Sequence, residues 1–318
     1  MSHLKRSAGC PDGIRLGYAC VNLSLGGKMR SLRLATLRER GLAYLQALVD
    51  ENLALLVDIL RWNLAQGISV FRISSDLVPL GSHPEVSLEQ IHFDPAQVAE
   101  VARLTSAGNM RLSMHPGQYT LISADGPVWE SSYRDLCYHA EVMERLGIEG
   151  DIILHGGGVY GDRAATARRI LAHIAALPES VRRRLRLEND ERCWSVQQLL
   201  PICEVSALPL VVDNLHHALN GAAETPLEGL PWERILTTWN GRRPKLHYAE
   251  QNPSKRPGAH SDYVSPTGFR SFLAAVPWPD YDVMLECKAK DLALLRLRQE
   301  LEAAQAPAWE ESAPEGRI

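Results

Sequence analysis

Eight short apolar runs punctuate the chain, and each one ends in polar residues. They read IRLGYAC (14–20), VFRISS (70–75), RLSMH (111–115), DIILH (151–155), LRLEN (185–189), LPLVVDNLH (208–216), KLHY (245–248) and DVMLE (282–286). Between them lie stretches in which Leu, Val and Ile recur every three or four residues, the spacing of one helix face. The longest covers 34–66, with Leu45, Leu48, Val49, Leu53, Leu56, Ile59 and Leu60 on its stripe, and stops at Gln66-Gly67, so it predicts one long core-facing helix or two joined. Asp94 followed by Pro95 is a helix start and opens 95–107 ahead of Gly108. Ser195 and Gln198 have capping-box spacing for a helix over 195–204. Further helices are predicted over 130–146, 163–176, 231–239, 266–275 and 291–303. Strand and helix alternating eight times, with right-handed crossovers, predict an α/β fold that closes into a single (β/α)8 TIM barrel. The expected barrel domain spans 14–303, with loose tails at 1–13 and 304–318.

Composition narrows the picture. A chain of 318 residues with 45% hydrophobic content can bury one large core, which fits one barrel domain. Its 34 basic and 38 acidic residues leave a net charge of −4, which does not announce a nucleic-acid binder. Clustered Lys and Arg, or bound divalent cations, can still make one face positive. The six cysteines (Cys10, Cys20, Cys137, Cys193, Cys203, Cys287) form no CxxC pair, so neither a zinc ribbon nor a disulfide framework is expected, and a reduced cytoplasmic setting fits. The opening MSHLKRSAGCPDG lacks the apolar stretch of a signal peptide, and no apolar run reaches membrane-span length. A monomer with no membrane partner is the expectation.

In a barrel of this kind every strand points its C-terminal end at one face, where active sites sit. Strand 3 then delivers His115, strand 4 His155, strand 5 Glu188, strand 6 Asp213 and His216, strand 7 His247 and strand 8 Glu286, while AHSDY after strand 7 adds His260 and Asp262. These are nitrogen and oxygen donors without a thiolate, a set that suits Zn²⁺ or Mn²⁺. A carboxylate such as Glu188 is the usual bridge between neighbouring ions. One histidine closing one strand is more often a hydrogen-bonded loop residue, but five or six arriving at one rim reverse those odds. The remaining histidines carry no expected role: His3 is in the tail, His92 in a loop, His139 and His173 on helices, and His217 points away from His216. Gly156-Gly157-Gly158 reads as tight-turn glycines, since no GxGxxG or P-loop lysine accompanies it. No GxSxG elbow or Cys-His pair offers a side-chain nucleophile.

The strings IRLGYACVNLSL, WNLAQGISVFRISSDLVPLGSH, SMHPGQYTLI, ILHGGGVYGD, LRLENDE, VVDNLHH, KLHYAEQ, AHSDY and VMLECKAKD, in that order, resemble the ultraviolet-damage endonucleases from about Ile14 to Leu297. That family is itself similar to the endonuclease IV type of apurinic-site enzyme, a barrel with a three-metal site. The resemblance implies His115, His155 and Glu188 on one metal, Glu188, Asp213, His247 and Glu286 on a second, and His216, His260 and Asp262 on a third. It implies two or three divalent ions, Mn²⁺ first, with Zn²⁺, Co²⁺ or Mg²⁺ as alternatives. It also implies damaged double-stranded DNA as substrate, cut 5′ to an ultraviolet photoproduct to leave a 3′-hydroxyl and a 5′-phosphate, with abasic sites as further candidates. Glu188 and Glu286 would be catalytic through the metals. His83 would lie near the site as a contact to the substrate or to one of the ligands, and Tyr18 and Asn22 would touch the flipped lesion.

Gln118 and Tyr119, in the HPGQY loop, place an amide and an aromatic where a duplex can be probed. Lys255, Arg256, Lys288 and Lys290 are the candidate phosphate contacts. Period-two alternation puts Lys245 on the face of His247, which directs an ammonium at a cation cluster. A depressed pKa would let it become a carbamate that enters the cluster, as the resemblance also suggests; otherwise it reaches the rim and binds a substrate phosphate. The competing class is a metal-dependent sugar isomerase or epimerase on the same scaffold. The richness of the ligand set and the exposed HPGQY loop argue against it.

Overall fold

The structure, a computed structural model, describes residues 12–304; the expected tail segments 1–11 and 305–318, with His3, lie outside the described residues. Eight parallel strands form one sheet: β1 (Ile14–Ala19), β2 (Val70–Arg72), β3 (Arg111–Met114), β4 (Gly150–His155), β5 (Leu185–Glu188), β6 (Leu210–Val211), β7 (Lys245–Tyr248) and β8 (Tyr281–Leu285). Their order is β6-β5-β4-β3-β2-β1-β8-β7, and the barrel closes between β6 and β7 through a single bridge, Asp213 to His247. Around it run α1 (Leu34–Ala65), α2 (Pro95–Ala107), α3 (Gly126–Arg145), α4 (Arg163–Ala176), α5 (Glu179–Arg182), α6 (Val196–Ser206), α7 (Asn214–Leu219), α8 (Trp232–Thr238), α9 (Pro266–Ala275) and α10 (Lys290–Ala303).

The predicted (β/α)8 barrel is therefore the fold. The long stripe of 34–66 resolves into two helical segments, broken at Gly41, whose φ of 74° suits glycine and no helix. Pro95–Ala107 and Pro266–Ala275 match their predicted limits, and the Asp94 carboxylate accepts the Ala96 N–H at 3.0 Å. The run 208–216 is not one strand. Pairing with β5 ends at Val211, and Asp213, bridged to His247, caps the short helix α7, which the apolar count alone could not distinguish from a continuing strand.

Alternation along the strands sorts side chains into two compartments. Outward residues such as Leu16, Phe71, Leu112, Ile152, Leu187, Leu246 and Val283 pack under the helices as the main core. Inward residues stack in layers. The apolar middle consists of two small clusters, Ala19, Val70 and Met284 in one and Ile153, Val211 and Trp239 in the other. Below it, at the strand N-termini, the four odd-numbered strands each contribute a cation, Arg15, Arg111, Arg186 and Lys245, the layering by alternate strands that barrels of this class use.

Two carboxylates hold that floor together. Asp282, fully buried, takes the Arg15 Nε and Arg243 Nε at 2.7 Å and the Arg111 guanidinium at 3.0 Å. Asp151 takes Arg111 at 2.8 Å, Arg186 at 3.0 Å and Lys245 at 3.1 Å. Burial would raise the Asp282 carboxyl, but Arg15, Arg111 and Arg243 hold it below the usual carboxylate range. Asp282→Asn should lower unfolding stability by about 3–5 kcal/mol at pH 7, because it leaves buried guanidiniums uncompensated. Urea unfolding reads this out, and a loss under about 1 kcal/mol would mean that the floor does not depend on the charge. Since the folded pKa is depressed, the wild-type advantage is complete above the unfolded value of about 3.9 and disappears as the pH falls through the folded one.

Candidate metal centre

Above the apolar layer the inward positions at the strand ends are His115, His155, Glu188, Asp213, His247 and Glu286, joined by His216 from α7. Three groups bring donor atoms within 4.8 Å of one another: His115, His155 and Glu188; Glu188, Asp213 and His216; and Asp213, His247 and Glu286. Glu188 sits at the centre, 1% exposed. One oxygen lies 3.0 Å from His115 Nε2 and 4.0 Å from His155 Nε2, and the other lies 2.8 Å from His247 Nδ1 and 3.8 Å from His216 Nδ1.

The donor side chains are held from behind. His115 Nδ1 donates to the Pro116 carbonyl (2.9 Å), His216 Nδ1 to Asn189 O (3.1 Å) and His260 Nδ1 to Glu286 O (2.7 Å), which leaves Nε2 of each ring as the nitrogen able to ligate. Asn189 and Asp213 lock β5 to the start of α7 through a reciprocal amide–backbone pair at 2.9 and 3.1 Å. Asp213 Oδ1 accepts the His216 N–H at 2.8 Å, so the cap that starts α7 also turns His216 over the cluster.

Burial would raise Glu188, but the imidazoles of His247, His155 and His115 hold it well below the usual carboxylate range. Burial and the neighbouring Glu188 and Glu286 raise Asp213. Burial pushes His155 down to about 4, so it is neutral at pH 7, the form that ligates. His216 goes the other way, to about 9, because Asp213, Glu188 and Glu286 outweigh its burial. Ligation at His216 would displace a proton, so metal affinity should strengthen as the pH rises toward about 9.

The donor set fits divalent ions. His155 Nδ1, Asp213 Oδ2 and His247 Nε2 are buried without a hydrogen-bond partner, and buried polar atoms left open in this way are costly unless something binds them. Nitrogen and carboxylate oxygen without sulfur is borderline-to-hard ligand chemistry.

Several residues stand elsewhere than the sequence suggests. His260 reaches the rim, 3.7 Å from Glu286 Oε2 with its ring 6.3 Å from that of His216, but Asp262 is exposed and joins no donor group among the described residues. Lys245 does face inward like His247, yet two residues of strand rise leave it one layer deeper, fully buried against Asp151. It therefore neither enters the cluster nor reaches a phosphate at the rim, although burial does pull it down to about 8. Tyr18 and Asn22 are not at the mouth. Tyr18 points outward under α1, its hydroxyl donating to Asn63 (2.8 Å) and accepting from Asn22 (2.8 Å), and neither residue has exposed surface. His83 lines a separate cavity with Tyr133 and Tyr138, its Nδ1 accepting the Glu85 N–H.

Other expected contacts are accessible. Tyr119 is 81% exposed beside an exposed Gln118, Lys255, Arg256 and Lys288 are exposed on loops at this face, and Lys290 is half-buried at the start of α10. Gly157 has a left-handed φ of 79°, as a turn glycine should.

Sequence reasoning missed two supports. Arg72, the inward residue after Val70, is 8% exposed and places a guanidinium nitrogen 2.7 Å from Glu286 Oε1. Its position in VFRISS at a strand end was the available signal. His139, read as an ordinary helix residue, is buried with Nε2 2.9 Å from Ser75 Oγ, and that hydroxyl donates to the His115 carbonyl at 3.1 Å.

A family model described as UV-endonuclease UvdE matches residues 14–308. The chain belongs to that family, and it is an endonuclease. It is 34% identical over 262 residues to a UV DNA damage endonuclease of Bacillus cereus (strain G9842), covering 80% of this chain and 82% of that one. It is 35% identical over 316 residues to the UV-damage endonuclease of Schizosaccharomyces pombe, where 92% of this chain spans 51% of the longer relative. The crystal structure of SacUVDE superposes with a TM-score of 0.81 at 32% identity, covering 92% of this UvdE-family chain and 99% of the other. Endonuclease IV from Thermus thermophilus (TM-score 0.56, 20% identity, covering 78% and 94%) shares the fold.

If Glu188 is the shared donor, Mn²⁺ at 100 times its dissociation constant should stabilise the UvdE-family protein by about 2.7 kcal/mol per site relative to EDTA. Glu188→Gln should lose most of that gain. Thermal unfolding with and without metal checks it, and an undiminished metal-dependent gain in the variant would remove Glu188 from the centre.

Proposed function

We propose that the protein is a metal-dependent DNA repair endonuclease that hydrolyses the phosphodiester bond 5′ to ultraviolet photoproducts, leaving a 3′-hydroxyl and a 5′-phosphate, with abasic sites as further substrates. The observation that carries the reading is the set of three donor groups linked through Glu188 and Asp213. Two or three divalent ions, Mn²⁺ before Zn²⁺, Co²⁺ or Mg²⁺, would be held by His115, His155, Glu188, Asp213, His216, His247 and Glu286, with His260 beside them. Such ions activate water at neutral pH, neutralise phosphate oxygens and stabilise the departing 3′-oxygen.

The chain's own groups do the rest. Arg72 orients Glu286 and balances its charge, and the Ser75–His139 pair fixes the backbone that carries His115. Tyr119 and Gln118 stand free to fill the gap left by a poorly stacked lesion, which is cheaper to extrude than an intact dinucleotide. Lys255, Arg256 and Lys288 would grip the backbone. The enzyme would act as a monomer on damaged duplex, in the compartment that holds the DNA, the cytoplasm in a prokaryote. No helix among the described residues is long and apolar enough to cross a membrane. Family membership sets the sugar-isomerase alternative aside.

Incubation with Mn²⁺ and a lesion-bearing duplex, beside undamaged duplex and a panel of sugars, tests the reading. Incision confined to the damaged duplex and silenced by EDTA is expected; turnover of a sugar without incision would overturn it. Glu188→Gln and Glu286→Gln should each reduce incision on the order of 10³-fold or more with the fold intact by circular dichroism. Tyr119→Ala should weaken binding to damaged duplex more than to single strands, and equal losses on both would mean that Tyr119 does not probe the lesion. Replacing Lys255 and Arg256 by Ala should flatten the salt dependence of binding by roughly one unit of slope per lost phosphate contact.

A further inference from the structure

The end of the barrel opposite the metal rim opens into a cavity of about 420 Å³. Six arginines line it, Arg15, Arg111, Arg183, Arg186, Arg242 and Arg243, against only two acids, Glu149 and Asp151. Arg184, which shares Glu144 and Glu149 with Arg183, and Lys245, buried against Asp151, bring the cations of these networks to eight. The carboxylates that pair with these groups among the described residues are five: Glu144, Glu149, Asp151, Asp280 and Asp282. Arg242 meets the Arg183 carbonyl at 3.4 Å and no carboxylate among the described residues. Arg186 is 5% exposed, and its Nε has no hydrogen-bond partner although the side chain lines the cavity.

A surplus of guanidinium charge around one cavity is unfavourable by itself, since mutual repulsion opposes it and, for the buried Arg186, desolvation does too. An anion in the cavity would offset the surplus. Guanidinium forks match the paired oxygens of phosphate, and a cavity of this volume is in the range of small-molecule sites, about 300–1,000 Å³. We propose that the N-terminal mouth of the barrel is a binding site for a phosphate-bearing anion, held by Arg183, Arg186 and Arg242 and separate from the metal centre. Arg186 lies two residues below Glu188 and Arg111 four below His115, so the two sites are about 7–13 Å apart along the strands with the apolar layer between them.

Calorimetric titration of the metal-loaded full chain at constant ionic strength tests this, with orthophosphate, thymidine 5′-monophosphate, thymidine and sodium chloride as probes. Saturable binding of the two phosphate-bearing probes, and none of thymidine or chloride, is expected. The tighter of the two tells a free phosphate from a nucleotide as the source. In Arg183→Ala/Arg242→Ala the affinity should fall at least tenfold while incision of damaged duplex is unchanged, because neither residue touches the rim. Should that variant misfold, Arg242→Gln alone, at an exposed position, should weaken binding about threefold, and Glu149→Gln should tighten it. Phosphate affinity that is the same in every folded variant as in the wild type overturns the proposal.

Discussion

Everything at the C-terminal end of the barrel hangs on one buried carboxylate. Glu188 ends β5 at the centre of the barrel mouth, and its two oxygens face four imidazoles, two within 3.0 Å. An isolated ionised carboxylate in that position would be prohibitively desolvated; surrounded by histidines it is held ionised. Because both of its oxygens are committed to different neighbours, it couples His115 and His155 on one side to His216 and His247 on the other. Divalent ions between these donors would replace shared protons with shared charge. Hence the arrangement is consistent with a polynuclear centre more than with three independent sites.

The supports around Glu188 use backbone groups wherever they can. Carbonyls of Pro116, Asn189 and Glu286 orient His115, His216 and His260, and the Asp213 cap places His216. A backbone carbonyl at a strand end is fixed by the sheet, so ligand geometry is inherited from the barrel and not from loops. Arg72 adds a guanidinium that points inward at the mouth, and its ion pair with Glu286 keeps that carboxylate ionised although it is largely buried. The exposed groups, Tyr119 above all, stand on the loops beyond this rigid layer, where they can meet a large substrate.

The same inward register produces a second polar layer at the other end of the barrel. Four odd-strand cations, two buried carboxylates and a thin apolar partition of Ala19, Val70, Met284, Ile153, Val211 and Trp239 divide the interior into two electrostatically distinct halves. The rim is rich in carboxylate and imidazole and suits cations, whereas the floor is rich in guanidinium and suits anions. A net charge of −4 for the chain conceals both, because charge at a site depends on which residues share a layer and not on their sum.

The barrel and most of the donor side chains gathered at its rim were legible in the sequence because both obey short-range periodicity. Donors at or within one residue of strand ends, at 115, 155, 188, 247 and 286, follow from apolar runs, helices such as Pro95–Ala107 follow from caps and stripes, and a parallel barrel sends all strand ends to one rim whatever the details. Depth, exposure and partnership were not legible. Alternation says that Lys245 and His247 share a face but not that strand rise leaves Lys245 one layer down beside Asp151. Nor does it distinguish the outward Tyr18, sealed under α1 by Asn63, from an inward residue at the mouth. The break after Val211 depended on Asp213 finding the His216 N–H, and the role of Arg72 depended on a carboxylate more than 200 residues away reaching it across the closed sheet. The sequence by itself determined which residue types arrive at which end of the barrel, because that depends on local period and strand direction. Only the tertiary structure decided which of them meet, because the stagger between strands and the closing of β6 on β7 set the heights at which side chains from distant segments face one another.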